Sequence, residues 1–323
     1  MLGEVNVPYA EQKTFYGGAD GDELTMQFDF IGMQATWLAL ARGDARPIAT
    51  SLRRRPAIDV ENQWVNFLRN HDELTLDKLT DSEREEVFAA FGPEEDMQLY
   101  GRGLRRRLPT MLHGDQRRIR MAYSLLFSLP GTPALFYGEE IGMGENLEIE
   151  GRNAVRSPMQ WSAGRGGGFS AAAPRRLARP LPDGPYGPER VNVSDQRNDP
   201  DSLLSFMGNL VRRRRQSPEI GWGALTLHDV APDAVLAHSV RWGDWAMLAV
   251  HNLGEEPCEV ELDLAALAEP ADDESPAPAP LAHLADLLEG TDVALEGTSL
   301  RLGLEGYGMR WLRVVREGDR RIA

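Results

Sequence analysis

The segment Asn66-Phe-Leu-Arg-Asn-His-Asp-Glu73 runs from apolar residues straight into Asn70, His71, Asp72 and Glu73. Burying such groups without partners costs several kcal/mol each by rough estimate, so a strand that ends on them needs a reason. Two more apolar runs end the same way: Leu2-Gly3 is followed by Glu4, and Ala134-Leu-Phe-Tyr137 is followed by Gly138 and then Glu139-Glu140. In a parallel barrel, polar groups at the carboxyl ends of different strands meet at one mouth, where catalytic residues sit.

Two or three carboxylates with a neutral histidine suit acetal chemistry. Glycosidic cleavage needs one carboxylic acid to protonate the leaving oxygen and a second carboxylate to attack or to activate water. The chain has no HExxH spacing for a metal and no Gly-rich phosphate loop, so neither a metal nor any other cofactor is expected. A Ser-His-Asp hydrolase is disfavoured because no GxSxG elbow occurs. Taken singly, each acidic group also has an ordinary reading. Glu4 could be a solvated residue near a terminus, and the NHDE and Glu139-Glu140 stretches could cap helices.

The elements that would carry these groups alternate along the first two thirds of the chain. Thr25 to Phe30 reads as a strand, Ile31 to Arg42 as a helix, Trp64 to Leu68 as a strand, and Asp81 to Phe91 as a helix behind the N-cap Thr80. Asp115 to Leu129 has apolar residues at helical spacing and stops at Pro130-Gly131; Ala134 to Tyr137 reads as a short buried strand. Residues 144–200, rich in Gly, Pro, Asn and Arg, form a long loop region, and Leu203 to Gln216 is the last helix of this part. Helix, strand and polar loop in repetition indicate parallel α/β units. After Ser217-Pro218 the pattern changes to short alternating runs at Val235 to Val240, Trp245 to His251, Glu259 to Leu264, Leu300 to Leu304 and Met309 to Val315, an antiparallel module interrupted by the acidic Ala/Pro-rich segment Glu269 to Pro280, read as a disordered loop. Two domains are expected, residues 1–217 and 218–323.

Composition narrows the partners. Fifty acidic against 35 basic residues give a formal charge of −15, which argues against nucleic acid. The runs Arg53 to Arg55, Arg105 to Arg107 and Arg212 to Arg215 are read as solvated helix faces. A single cysteine, Cys258, excludes an intrachain disulfide and fits a reducing compartment. No apolar run reaches membrane-spanning length and no secretion signal opens the chain, so a cytoplasmic protein without membrane attachment is expected.

Three long motifs, WVNFLRNHDELTLDKLT, RMAYSLLFSLPGTPALFYGEEIGM and GRNAVRSPMQW, resemble the alpha-amylase family of glycoside hydrolases, within it the trehalose synthase, alpha-glucosidase and oligo-1,6-glucosidase branch. The resemblance implies the α/β class: the C-terminal half of a (β/α)8 barrel, strands five to eight, followed by an antiparallel β-sandwich C-terminal domain. It implies that Glu4, in Leu2-Gly-Glu-Val-Asn6, is the acid/base and that Asp72 of the Asn-His-Asp motif stabilises the transition state. Asn70 and His71 would hydrogen-bond sugar and turn, Arg156 would close the end of the pocket, and Glu139 joins the sugar-binding set. Glu4 should hold a proton through burial and a neighbouring carboxylate, and Glu4 and Asp72 should face each other across a cavity the width of a glucose ring.

The family's fourth-strand nucleophile segment has no match in these 323 residues. The chain is therefore expected to show no more than trace glycosidase activity alone, to need a missing barrel half, or to self-associate through open sheet edges. The ligand implied is an alpha-glucoside or maltose-like sugar, hydrolysed or transferred with retention. A non-catalytic carbohydrate-binding or assembly remnant is the rival reading, and a calcium-dependent structural domain is a weaker one.

Overall fold

The computed structural model describes residues 1–17, 23–59, 61–270 and 277–319. Its first sheet is wholly parallel: β1 (Leu2–Gly3), β2 (Met26–Phe28), β3 (Gln63–Asn66) and β4 (Thr132–Pro133) lie side by side in chain order. The register sets Leu2 opposite Met26, Met26 opposite Gln63, and Val65 opposite Thr132. Between β2 and β3 the chain forms α1 (Phe30–Arg42) and α2 (Arg46–Arg54); between β3 and β4 it forms α3 (Asp81–Phe91) and α4 (Gln116–Ser128). A parallel sheet whose neighbours are consecutive and joined by helices is a segment of a β/α barrel wall.

Local chemistry defines these helices. Asp29 caps α1 by accepting from Gly32 N, and Thr80 with Glu83 forms a full capping box on α3. Trp37 of α1, wholly buried, donates its indole N–H to Leu68 O at 2.9 Å and so ties the helix to the segment leaving β3. The expected helices at 31–42, 81–91 and 115–129 are present to within a residue at each end. The expected buried strand at Ala134 to Tyr137 is not: pairing ends at Pro133, one further bond runs from Ala134 N to Asn66 O, and Leu135 and Tyr137 are exposed. With β4 paired on one side only, apolar residues beyond it have no strand to join.

A helix α5 (Leu203–Arg215) closes this part, and Ser217-Pro218 lies in the turn before β5 (Ala224–His228). The antiparallel part comprises β5, β6 (Val235–Trp242), β7 (Trp245–Asn252), β8 (Cys258–Asp263), β9 (Leu281–Asp286), β10 (Asp292–Val293), β11 (Ser299–Leu304) and β12 (Met309–Arg316). Six of these form one sheet in the order β10-β9-β12-β7-β6-β5, and β8 pairs with β11 to form a second. Alternating burial holds for β8 and β11, as expected, but not for β6 and β7, which are buried almost continuously. They have two covers: one face packs on β8 and β11 through Val260, Leu262, Leu300 and Leu302, the other shares a core with α4. Strands β5, β9 and β10 are additions to the sequence reading. Residues 271–276 of the expected disordered loop lie outside the described residues.

The arginine runs are not plain solvated faces. The Arg55 guanidinium meets Asp29 at 2.5 Å, Arg107 is 1% exposed and donates to Val155 O and Tyr137 O, and Arg214 donates to Phe127 O and Gly131 O at the end of α4. Backbone carbonyls and a carboxylate left over at helix and strand ends draw these side chains inward.

Candidate active site

Glu4 follows β1, and Asn70 to Glu73 follow β3, both at carboxyl ends of the parallel sheet. Two strands apart in the sheet, they converge: one ligand atom each from Glu4, His71 and Asp72 lies within 4.8 Å of the others. Asn70 bridges them, donating from Nδ2 to Glu4 Oε1 at 3.3 Å and accepting from the Asp72 backbone N–H at 3.0 Å. The side chain that looked like a helix cap holds two carboxyl-bearing loops in register instead.

Asp72 is held on both oxygens. Arg156 Nη2 lies 2.5 Å from Oδ1 and Arg152 Nη1 2.8 Å from Oδ2, while Arg156 Nε donates to His71 O at 2.7 Å. Arg152 lies in the 3-10 turn Gly151–Val155 and Arg156 is the residue that ends it, and both reach the one carboxylate. Arg152 also pairs with the buried Glu73 at 2.8 Å and lies over the Tyr100 ring, 5.5 Å from its centre. Sequence reasoning picked Arg156 and missed Arg152; the available signal was their i, i+4 spacing inside GRNAVRSPMQW.

Glu139 is not brought into this cluster. It is 2% exposed, accepts from Phe136 N at 2.7 Å and from Tyr123 Oη at 3.5 Å, and burial pushes its carboxyl up to about 7 against the pull of Arg107 and Arg69. Its neighbour Glu140 faces a cavity instead, one of its oxygens accepting from Gly138 N at 2.8 Å. Arg69, two residues before His71, is also buried; burial and Arg107 bring its guanidinium down to about 9, and none of its nitrogens has a hydrogen-bond partner among the described residues.

Glu4 departs from expectation in a different way: it is exposed, so the burial that was to keep it protonated is not provided by this chain. The separation also differs. Oxygens within 4.8 Å of each other do not admit a whole sugar ring between them. With hydrogen bonds of about 2.7–3.0 Å on each side, they fit one sugar oxygen shared by both carboxylates. The three atoms resemble a metal-ligand set in spacing, but both Asp72 oxygens already face guanidinium groups, whose charge opposes a bound cation. The cluster therefore suits a polar, hydroxyl-bearing ligand, with donors from His71 and the arginines and acceptors from the carboxylates.

The family description "Alpha amylase, catalytic domain" matches residues 104–223, and "Sucrose hydrolase-like, C-terminal domain" matches residues 246–313. The chain belongs to the alpha-amylase family. Within it, the chain is 42% identical over 268 residues to a trehalose synthase of Thermus thermophilus, covering 82% of this chain and 28% of that protein. It is 39% identical over 272 residues to the trehalose synthase/amylase of Mycobacterium tuberculosis, covering 82% of this chain and 45% of that one. The chain thus spans less than half the length of these relatives. Among solved structures, an alpha-amylase from H. orenii superposes with a TM-score of 0.66 at 18% identity over 97% of this chain and 53% of that one. The resemblance in fold agrees with the parallel sheet and the antiparallel sheets described above. No helix among the described residues is long and apolar enough to cross a membrane.

Proposed function

We propose that the Glu4, His71, Asp72 cluster binds the glucosyl unit of an alpha-glucoside such as maltose, as one side of a retaining hydrolase or glucosyltransferase site. Glu4 would serve as acid/base, Asp72 would hold sugar hydroxyls more tightly in the oxocarbenium-like transition state than in the ground state, and Asn70, His71 and Arg156 would orient them. The observation that carries this reading is the convergence of the three groups within 4.8 Å from the ends of two different strands. The trehalose synthase relatives support the sugar class and leave open whether water or a second sugar accepts the glucosyl group, a matter of water exclusion.

Turnover requires more than this chain's own residues supply. Retention needs a second carboxylate to attack the anomeric carbon, and a proton donor needs the burial that Glu4 lacks here. The 323-residue chain is therefore expected to bind maltose and to hydrolyse maltose or p-nitrophenyl alpha-glucoside only at trace rates. Glu4→Gln and Asp72→Asn should each weaken binding, read by calorimetric titration. Unchanged binding in both variants would dismiss the site, and wild-type-like turnover by the chain alone would dismiss its incompleteness.

A sugar-binding or assembly role without turnover is favoured by one feature, the double arginine hold on Asp72. The outer edges of β1 and β4, beside the exposed Met1, Leu2 and Leu135, are where a further β/α unit or a second copy would pair. Sedimentation velocity across a concentration series reads self-association directly. A cytoplasmic setting fits the single thiol of Cys258.

A further inference from the structure

Glu4 is exposed, and the hydrogen bond its side chain makes is the 3.3 Å one from Asn70, too long to place a carboxylate by itself. β1 ends one residue earlier, at Gly3, so whatever sets the position of Glu4 must act on the residues behind it. Two contacts do so. The wholly buried Gln12 donates from Nε2 to Val5 O at 3.2 Å, and Asn6 donates from Nδ2 to Asp77 Oδ1 at 2.9 Å. Asp77 stands beyond Asp72 in a segment that is itself fixed: Leu74 and Thr75 pair antiparallel with Leu104 and Gly103, and Leu76 N donates to Arg102 O at 2.8 Å. Its carboxylate is a hub. Oδ1 also accepts from Thr75 Oγ1 at 3.0 Å and from Gln34 Nε2 at 3.2 Å, while Oδ2 pairs with Lys78 Nζ at 2.9 Å. Gln34, 1% exposed on α1, accepts in turn from Lys78 N at 2.7 Å. Asn6, Gln34 and Thr75 belong to the stretches that follow β1, β2 and β3, so one carboxylate ties three consecutive β/α units together at the end of the sheet where the cluster lies. Partial burial raises the Asp77 carboxyl, but the bonds from Asn6 and Lys78 outweigh it and hold the group below its ordinary value, so it is ionised at neutral pH.

We infer that Asp77 is a positioning residue for the cluster: through Asn6 it fixes the loop that carries Glu4 against the loop that carries Asp72, and so sets the separation at which the two carboxylates meet one ligand oxygen. The inference rests on the alpha-glucoside reading for its effect on sugar binding, and on the bonds alone for its geometry. Asp77 makes no hydrogen bond to Glu4 or Asp72 among the described residues; it acts through Asn6. A carboxylate suits the place because it accepts on both of its oxygens, whereas an asparagine would turn an N–H group toward either Lys78 or Asn6. Asn6 leaves its Oδ1 buried without a partner among the described residues, an unfavourable arrangement that its bond to Asp77 must offset. Because Glu4 is uncovered, packing does not resist a slip of its loop, and the loop-to-loop bond decides whether Asn70 can reach it.

The test reads geometry and sugar separately. In ¹H–¹⁵N spectra of the 323-residue chain, with the Asn70 side-chain amide assigned from Asn70→Ala, Glu4→Gln should move that amide because it removes the carboxylate the amide donates to. With Asn6→Ala or Asp77→Ala already present, the same change should move it about threefold less. With Lys78→Ala present, which takes a bond from Asp77 but leaves Asn6 in place, the full movement should remain. The exchange of Asn6→Asp with Asp77→Asn, which reverses donor and acceptor, should restore it. In calorimetric titrations Asn6→Ala should weaken maltose binding roughly fivefold, after which Glu4→Gln weakens it by no more than about twofold further. Urea unfolding checks that each variant is folded, and Asn6→Ala carries the test should Asp77→Ala not fold. If the Asn70 amide ignores Glu4→Gln in the parent, or follows it equally in Asn6→Ala, or if Lys78→Ala acts as Asn6→Ala does, the positioning role is wrong. It is equally wrong if the parent binds maltose and Asn6→Ala binds it as well. Should the spectra behave as expected while the parent does not bind maltose, Asp77 keeps its place in the geometry and the alpha-glucoside reading falls.

Discussion

His71 and the pair His238 and His251 sit at opposite ends of what a sheet does to an imidazole. His71 stands just past the parallel sheet with its side chain 52% exposed, beside Asp72 and against an open cluster. His238 lies in the middle of β6 and His251 one residue before the end of β7, both fully buried where the six-stranded sheet meets α4, their rings stacked at 6.4 Å. His251 Nε2 meets Ser124 Oγ at 2.9 Å, Trp311 donates to the same oxygen at 3.0 Å, and His238 Nε2 donates to Ser128 O at 3.1 Å. Burial brings these two histidines down to about 4 and about 3. One sheet exposes polar groups where its strands stop; the other covers them where its strands run on. Chemistry therefore gathers at the ends of two- to four-residue parallel strands, and the eight-residue antiparallel strands supply a neutral, packed interface.

The largest effects should come from breaking each part's own anchor. Asp29→Ala would leave the buried Arg55 without its carboxylate and remove the α1 cap, costing about 3–5 kcal/mol. Trp311→Ala, in the wholly buried core under α4, should cost a similar about 3–5 kcal/mol through its cavity. Urea unfolding reads both. A loss under about 1 kcal/mol from Asp29→Ala would mean that the parallel part does not depend on its polar staple.

Next in size is a pH dependence with opposite signs in the two parts. The folded-state values of His238 and His251 lie below the ordinary 6.5, so the folded state binds fewer protons than the unfolded one. Their contribution is complete above about 6.5 and is lost as pH falls through about 4 and 3. Glu139 is raised from 4.5 to about 7, so its contribution is complete below about 4.5 and lost as pH rises through about 7. Urea midpoints of Glu139→Gln from pH 4 to 8 should rise more steeply with pH than those of the parent, and those of the His238→Gln, His251→Gln double variant less steeply.

A smaller effect is expected at Arg152. Arg152→Ala should weaken maltose binding roughly fivefold, about 1 kcal/mol, by letting Asp72 swing. Smallest is Arg301→Ala on the antiparallel edge: its pair with Glu261 is 77% and 69% exposed, so the unfolding free energy from urea titration should change by no more than about 0.5 kcal/mol.

Much of this architecture could be read from residue order. Period and caps located α1, α3, α4 and α5 because those signals are local, as with Thr80 and Glu83. The Asn-His-Asp and Glu4 motifs marked the strand ends because hydrogen-bonding groups after apolar runs are rare without a purpose. Other features depend on partners far along the chain. Ala134 to Tyr137 has a strand's composition and lacks a neighbouring strand. Adjacent Glu139 and Glu140 go to different places, one under Arg107 and one to the cavity, although nothing in their types separates them.

From the chain's own letters came the family, the alternation of β/α units with a later antiparallel part, and the choice of Glu4, Asn70, His71, Asp72, Glu139 and Arg156 as a set. Three-dimensional packing settled that Arg152 joins Arg156 on Asp72, that Glu139 is interior, that Glu4 is uncovered, and that Asn6 meets Asp77. Residue types and short spacings encode what a few neighbouring bonds can satisfy, whereas burial and charge pairing depend on which distant segments arrive at the same point.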